Sequence, residues 1–157
     1  MMGNTKQSAG LLMYKFDNNK ELKVLLAHPG GPFFKNKDEG HWSIPKGLIE
    51  DNEDIFKAAK REFEEEVGFA PKGEFIPLDS IKQKSGKIVY AWAFEGDMKE
   101  FKTKSFFDME WPPRSGKKQR FPEMDKAEFF SIEEAKKKIM PEQLEFIERL
   151  KARLKLA

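Results

Sequence analysis

Acidic residues crowd one stretch of this chain. Between Glu50 and Glu66 stand Glu50, Asp51, Glu53, Asp54, Glu62, Glu64, Glu65 and Glu66, answered only by Lys57, Lys60 and Arg61. The absence of Gly and Pro from Glu53 to Val67 predicts a helix there. Acid at Glu53 and Asp54 suits the positive end of its dipole, whereas Glu62, Glu64, Glu65 and Glu66 oppose the negative end and repel one another. At 100° per residue Ile55, Ala59, Phe63 and Val67 form an apolar stripe, and Glu62 and Glu66 fall at its border rather than opposite it. Glu62, Glu65 and Glu66 are spaced i, i+3, i+4, so their carboxylates can converge over one patch. Such a cluster calls for a compensating cation, naturally a hard divalent ion such as Mg²⁺ or Mn²⁺. With no Cys and only His28 and His41, oxygen ligands are the route to any bound ion. Spacing alone leaves a solvated acidic helix face equally open.

The elements that must hold this helix are legible in outline. Apolar segments rich in aromatic and β-branched residues predict strands over Ser8–Phe16, Lys23–His28, Lys87–Phe94, Phe106–Trp111 and Lys126–Ser131. Further helices are expected over Ser131–Lys138, where Ser131 and Glu134 form a capping box, and over Pro141–Lys155, which opens on a proline suited to a first turn. Two loops are dense in turn residues, Pro29 to Gly40 and Pro112 to Lys118. At 157 residues, 39% of them hydrophobic, the chain suits one folded domain over 1–157 and shows no membrane-spanning run. The lack of a secretory leader or Cys leads to the expectation of a cytoplasmic protein. With 29 basic and 27 acidic residues it lacks the strongly basic balance of a nucleic-acid binder.

Gly47, five residues, Glu53, seven residues, then Arg61-Glu62-Phe63-Glu64-Glu65-Glu66-Val67-Gly68-Phe69 match every defined position of the Nudix box, G-x5-E-x7-R-E-U-x-E-E-x-G-U with U apolar. The chain thus resembles the Nudix hydrolases. The resemblance implies an α/β (α+β) fold, a mixed β-sheet sandwiched between α-helices, and hydrolysis of a nucleoside diphosphate linked to another group by water attack on phosphorus. It also implies Mg²⁺ as cofactor, with Mn²⁺ as a substitute, held by Glu62, Glu65 and Glu66 with a main-chain carbonyl near Lys46 or Gly47. Glu53 and Arg61 resemble the family's structural pair, and Gly47 and Gly68 would be kept for backbone conformations that side chains resist. Glu62 is the first choice for proton acceptor, and Glu123, in the loop Arg120 to Asp125, is the alternative catalytic base.

Immediately before the box, Trp42-Ser43-Ile44-Pro45-Lys46-Gly47 is similar to the W-x-x-P-K-G run of diadenosine tetraphosphate hydrolases within that family. Lys46 would then contact a phosphate chain, and Trp42 either stacks on a base or belongs to the core. Arg114, Lys117, Lys118 and Arg120 are candidates for distal phosphates, and Tyr90, Phe33 and Phe34 for base stacking. The leading expectation is a dinucleoside polyphosphate pyrophosphohydrolase, a monomer or homodimer, acting on a small nucleotide without membrane or nucleic-acid partners. Nucleoside triphosphates and nucleoside diphosphate sugars are the competing substrates. A nucleotide sensor without turnover is the non-enzymatic alternative, and it predicts loss of box carboxylates, all of which are present.

Overall fold

The computed structural model describes Lys6 to Leu156. Eight strands and three helices follow in order: β1 Gln7–Phe16, β2 Leu22–Pro29, β3 Lys46–Leu48, α1 Ile55–Val67, β4 Phe75–Lys82, β5 Ile88–Glu95, β6 Phe106–Glu110, β7 Lys118–Pro122, β8 Met124–Ser131, α2 Ile132–Lys138 and α3 Leu144–Arg153, the last preceded by a 3₁₀ turn at Pro141–Gln143. The main sheet runs β4-β5-β1-β2-β8, with β3 paired to the free half of β1's edge. Parallel β1–β5 pairing among otherwise antiparallel neighbours makes the sheet mixed.

β1 is central because its sequence is apolar on both faces. Ala9, Leu11 and Met13 pack with Ala58, Ala59, Phe63 and Val67 of α1. Leu12 and Tyr14 point the other way, into a second core with Ala135 of α2 and Phe146, Ile147 and Leu150 of α3. The sheet therefore lies between α1 and the two C-terminal helices, as the resemblance implies. Gly10 has a specific task between them: a Cβ there would stand 2.4 Å from the Pro45 carbonyl oxygen and 2.6 Å from Lys46 Cβ. Its bare backbone lets β3 close onto β1.

The helix of carboxylates starts later than its charge pattern suggests. Asp54 is the N-cap, its carboxylate accepting the Lys57 N–H at 3.0 Å, so Glu53 lies outside the helix. At the other end Gly68 adopts a left-handed φ of 104° and donates its N–H to the Glu64 carbonyl. Ser131 caps α2 as expected, accepting the Glu134 N–H at 3.2 Å.

Three strands were not foreseen. β3 has only three residues, and β4 carries Pro77 and a register irregularity between Pro77 and Asp79, tolerated because β4 pairs only with β5. β7 is too polar to read as a strand, yet it pairs with β6 in a separate two-stranded hairpin, from Phe106 opposite Pro122 to Glu110 opposite Lys118.

Candidate functional site

The site is built where the C-terminal half of α1 passes over β3. A Cβ on Gly47 would lie 1.8 Å from Glu62 Oε2. The missing side chain, rather than a positive φ, is therefore what Gly47 supplies, which corrects the conformational role expected for it. Gly68, at φ 104°, does fill that role.

Glu66 is only 4% exposed, and its carboxylate accepts the Lys46 N–H at 3.0 Å. Burial pushes its pKa well above the ordinary 4.5, the Glu62 charge pushes the same way, and the Lys46 charge opposes. Glu62 is also raised by burial, with Arg61 holding it back. Arg61 beside Glu62 and Lys46 beside Glu66 offset this pair only in part.

Arg61 gathers what it can. Its Nε donates to Glu53 Oε2 at 2.7 Å and its Nη2 to Glu53 Oε1 at 2.9 Å, a two-pronged pair, while Nη1 reaches Glu62 at 2.8 Å and Glu65 at 3.2 Å. Nη2 also donates to the Leu48 carbonyl, and Glu53 accepts the Glu50 N–H. The guanidinium thus ties the loop before α1, the helix and β3 together. It holds the Glu53 carboxyl down at about 2. Because Glu62 and Glu65 turn toward Arg61 while Glu66 turns to Lys46, no three acidic or imidazole side chains among the described residues stand close enough to grip one ion.

Lys46 is half-buried among charged groups. Its pKa is lowered to about 8, by burial first and then by the Lys87 ammonium, against the opposing charges of Glu66 and Glu62. Beside them Ser8, fully buried on β1, has a hydroxyl with no hydrogen-bond partner among the described residues. Ser8 precedes Gly10 by two residues, so it shares the face of β1 over which Lys46 closes. Ser8 has no motif, and Lys87 is one of several cations around the Lys82–Lys87 turn, so nothing in the sequence singles either out. Only the pairing of Gly10 with Lys46, and of Ser8 with Val89, brings them together.

The other expected residues fall into two groups. Glu123 sits in the turn between β7 and β8, exposed, and close enough to the cluster that its charge raises the Glu66 pKa. Trp42, by contrast, is 2% exposed, its Nε1 donates to Asp38, and its ring meets His28 and Phe130 edge-on. It is a core residue, and the base-stacking alternative is withdrawn. Tyr90 is half-buried on β5, packs on the core that α1 covers, and borders a shallow depression with Pro77, Asp79 and Trp92. Arg114 lies in the tip of the β6–β7 hairpin and Lys117 precedes β7, both exposed.

The family model of the NUDIX domain matches residues 6–150. The chain belongs to the Nudix family. Nudix hydrolase 7 of Arabidopsis thaliana is 35% identical over 72 residues, which are 46% of this chain and 23% of that protein, so the match spans under a quarter of the relative's length. Among solved structures, the NUDIX domain of Shewanella oneidensis NrtR complexed with ADP ribose superposes at TM-score 0.69 with 14% identity, covering 98% of this chain and 90% of that one. A C. elegans Ap4A hydrolase binary complex gives TM-score 0.68 with 20% identity, covering 96% and 98%. At those identities the structures attest the Nudix fold.

Nudix proteins use divalent cations. The donors present here fit such an ion in kind: carboxylate oxygens of Glu62, Glu65 and Glu66, two of them with pKa values raised first by burial and then by neighbouring carboxylates, beside a backbone left open at Gly47.

Proposed function

We propose that this chain is a Mg²⁺-dependent pyrophosphohydrolase of dinucleoside polyphosphates such as diadenosine tetraphosphate, with Mn²⁺ as a substitute, working in the cytoplasm. The observation that carries the choice of substrate is Lys46, whose main-chain N–H donates to Glu66 and whose half-buried ammonium feels the charges of Lys87, Glu66 and Glu62. A long phosphate chain offers several anionic groups to two lysines, whereas a two-phosphate linkage offers fewer. The likeness to the C. elegans Ap4A hydrolase fold and the W-x-x-P-K-G run support the same reading.

Glu62, Glu65 and Glu66, with the main chain at Gly47, would hold the ion. Bound there, a divalent cation neutralises phosphate oxygens and acidifies the attacking water. The protein's own groups then have separate tasks. Lys46 and Lys87 hold the phosphate chain, and Arg61 and Glu53 keep the helix and its preceding loop in register. Glu62 takes the proton of the attacking water, with Glu123 as the alternative base on the opposite wall. Water oxygen bonds to phosphorus, the anhydride P–O bond breaks, and the departing phosphate leaves with the electron pair. Arg114 and Lys117 serve phosphates farther along the chain.

A nucleoside diphosphate sugar is the second reading, favoured by the NrtR domain's complex with ADP ribose. Lys46→Ala separates the two. Loss of a charge-assisted contact is expected to lower kcat/KM for diadenosine tetraphosphate by about 10- to 100-fold and that for ADP ribose far less. Equal losses on both substrates would remove the phosphate-chain role of Lys46.

A further inference from the structure

The β6–β7 hairpin stands outside the main sheet, and the reading above uses only Arg114 and Lys117 of it. It is nonetheless fastened to the candidate site. Glu123, which follows β7, donates its N–H to the Ser105 carbonyl before β6, and its own carbonyl accepts the Gly30 N–H at 2.9 Å. Gly31, at φ 94°, lies flat against Phe107, where a Cβ would be 2.9 Å from the ring. His28, 2% exposed, pins the same loop from beneath, with one ring nitrogen 2.8 Å from Asp125 Oδ1 and the other 2.6 Å from the Lys37 carbonyl.

These anchors fix an aromatic platform. Phe33 is 64% exposed, yet its ring is held by Trp111 at 5.6 Å between centroids and 81° between planes, with a face left bare. The backbone from Gly30 to Phe33 spans at most about 11 Å, so the platform stands one short reach from Glu123. The cations around it are unspent. From Lys104 to Arg120 the chain carries five basic residues against two acids. Glu110 is occupied in accepting the N–H groups of Arg114 and Gly116, and among the described residues Arg114, Lys117 and Lys118 form no ion pair.

We propose that the β6–β7 hairpin and the loop after β2 form a seat for the second nucleoside of the substrate, Phe33 backed by Trp111 stacking on its base and Arg114, Lys117 and Lys118 holding the phosphates that lead to it. Charge complementarity and the bare aromatic face select this occupant, because a base offers a π-face and its phosphates offer anions to unpaired cations. The seat rests on the dinucleoside polyphosphate reading and adds what that reading lacks, a place for the far end of the molecule.

The test uses the full chain with Mg²⁺ and compares kcat/KM for diadenosine tetraphosphate and ATP in wild type, Phe33→Leu and Phe33→Tyr. Phe33→Leu keeps apolar contact with Trp111 but removes the stacking ring, and at an exposed position it folds. The ratio of the two kcat/KM values is expected to fall about tenfold in Phe33→Leu and to recover in Phe33→Tyr. An unchanged ratio overturns the seat. So does a loss confined to a 5′-triphosphorylated oligoribonucleotide, which would make the platform an RNA contact. Wild type that fails to cleave diadenosine tetraphosphate overturns the functional reading itself, and that failure is seen before any variant is made.

Discussion

Gly47 shows how much one absent side chain can decide. Glu62 rests on it so closely that a methyl group would overlap Oε2. Gly47→Ala must therefore displace Glu62, and a displacement near 1 Å at a reacting centre costs about 100-fold in rate. The expected outcome is a kcat lowered by about that factor, with an unchanged far-UV circular dichroism spectrum because Gly47 sits at the edge of the sheet. A kcat within threefold of wild type would mean that Glu62 has room to spare. At this scale the box was readable: Glu53, Arg61, Glu62, Glu65 and Glu66 stand out by spacing, and the structure brings Arg61 to three of them. Ser8 and Lys87 were not readable, because a lone serine and a turn lysine acquire meaning only through cross-strand pairing.

Among the elements, the Arg61 brace joins three pieces of backbone, and its strength depends on pH in a defined direction. The folded protein keeps Glu53 ionised down to about 2, whereas the unfolded chain protonates it near the ordinary 4.5. A depressed carboxyl stabilises the fold fully above the unfolded value and loses that contribution as pH falls toward the folded one. Thermal melts of wild type and Glu53→Gln should therefore differ most above pH 5, by a few degrees, and converge as pH falls to 2. A gap that stays constant across that range would contradict the brace. Element legibility followed local signal. α1 announced itself through its apolar stripe and lack of breakers, although Asp54 rather than Glu53 begins it. β4 was hidden by Pro77 and Asp79, β7 by its lysine, glutamine and arginine, and β3 by its brevity. Each is fixed by a partner strand that the local sequence does not reveal.

Over the whole molecule the balance of 29 basic and 27 acidic residues is a sum of unlike parts. Acid gathers on α1, where burial and repulsion raise Glu62 and Glu66, while base gathers at Lys46, Lys87 and the hairpin. The mixed sheet between helices was foreseen from the box, and the separate hairpin was not, since only one of its strands has an apolar pattern. In the proposed reading that arrangement sets a cation site beside a polyanion site. The most direct test is steady-state hydrolysis by the wild-type chain of diadenosine tetraphosphate, ATP and ADP ribose, each with Mg²⁺ and with excess chelator. The account predicts a kcat/KM for diadenosine tetraphosphate at least tenfold above the others and abolished by chelator; equal or greater efficiency on ADP ribose or ATP, or activity that survives metal removal, would contradict it.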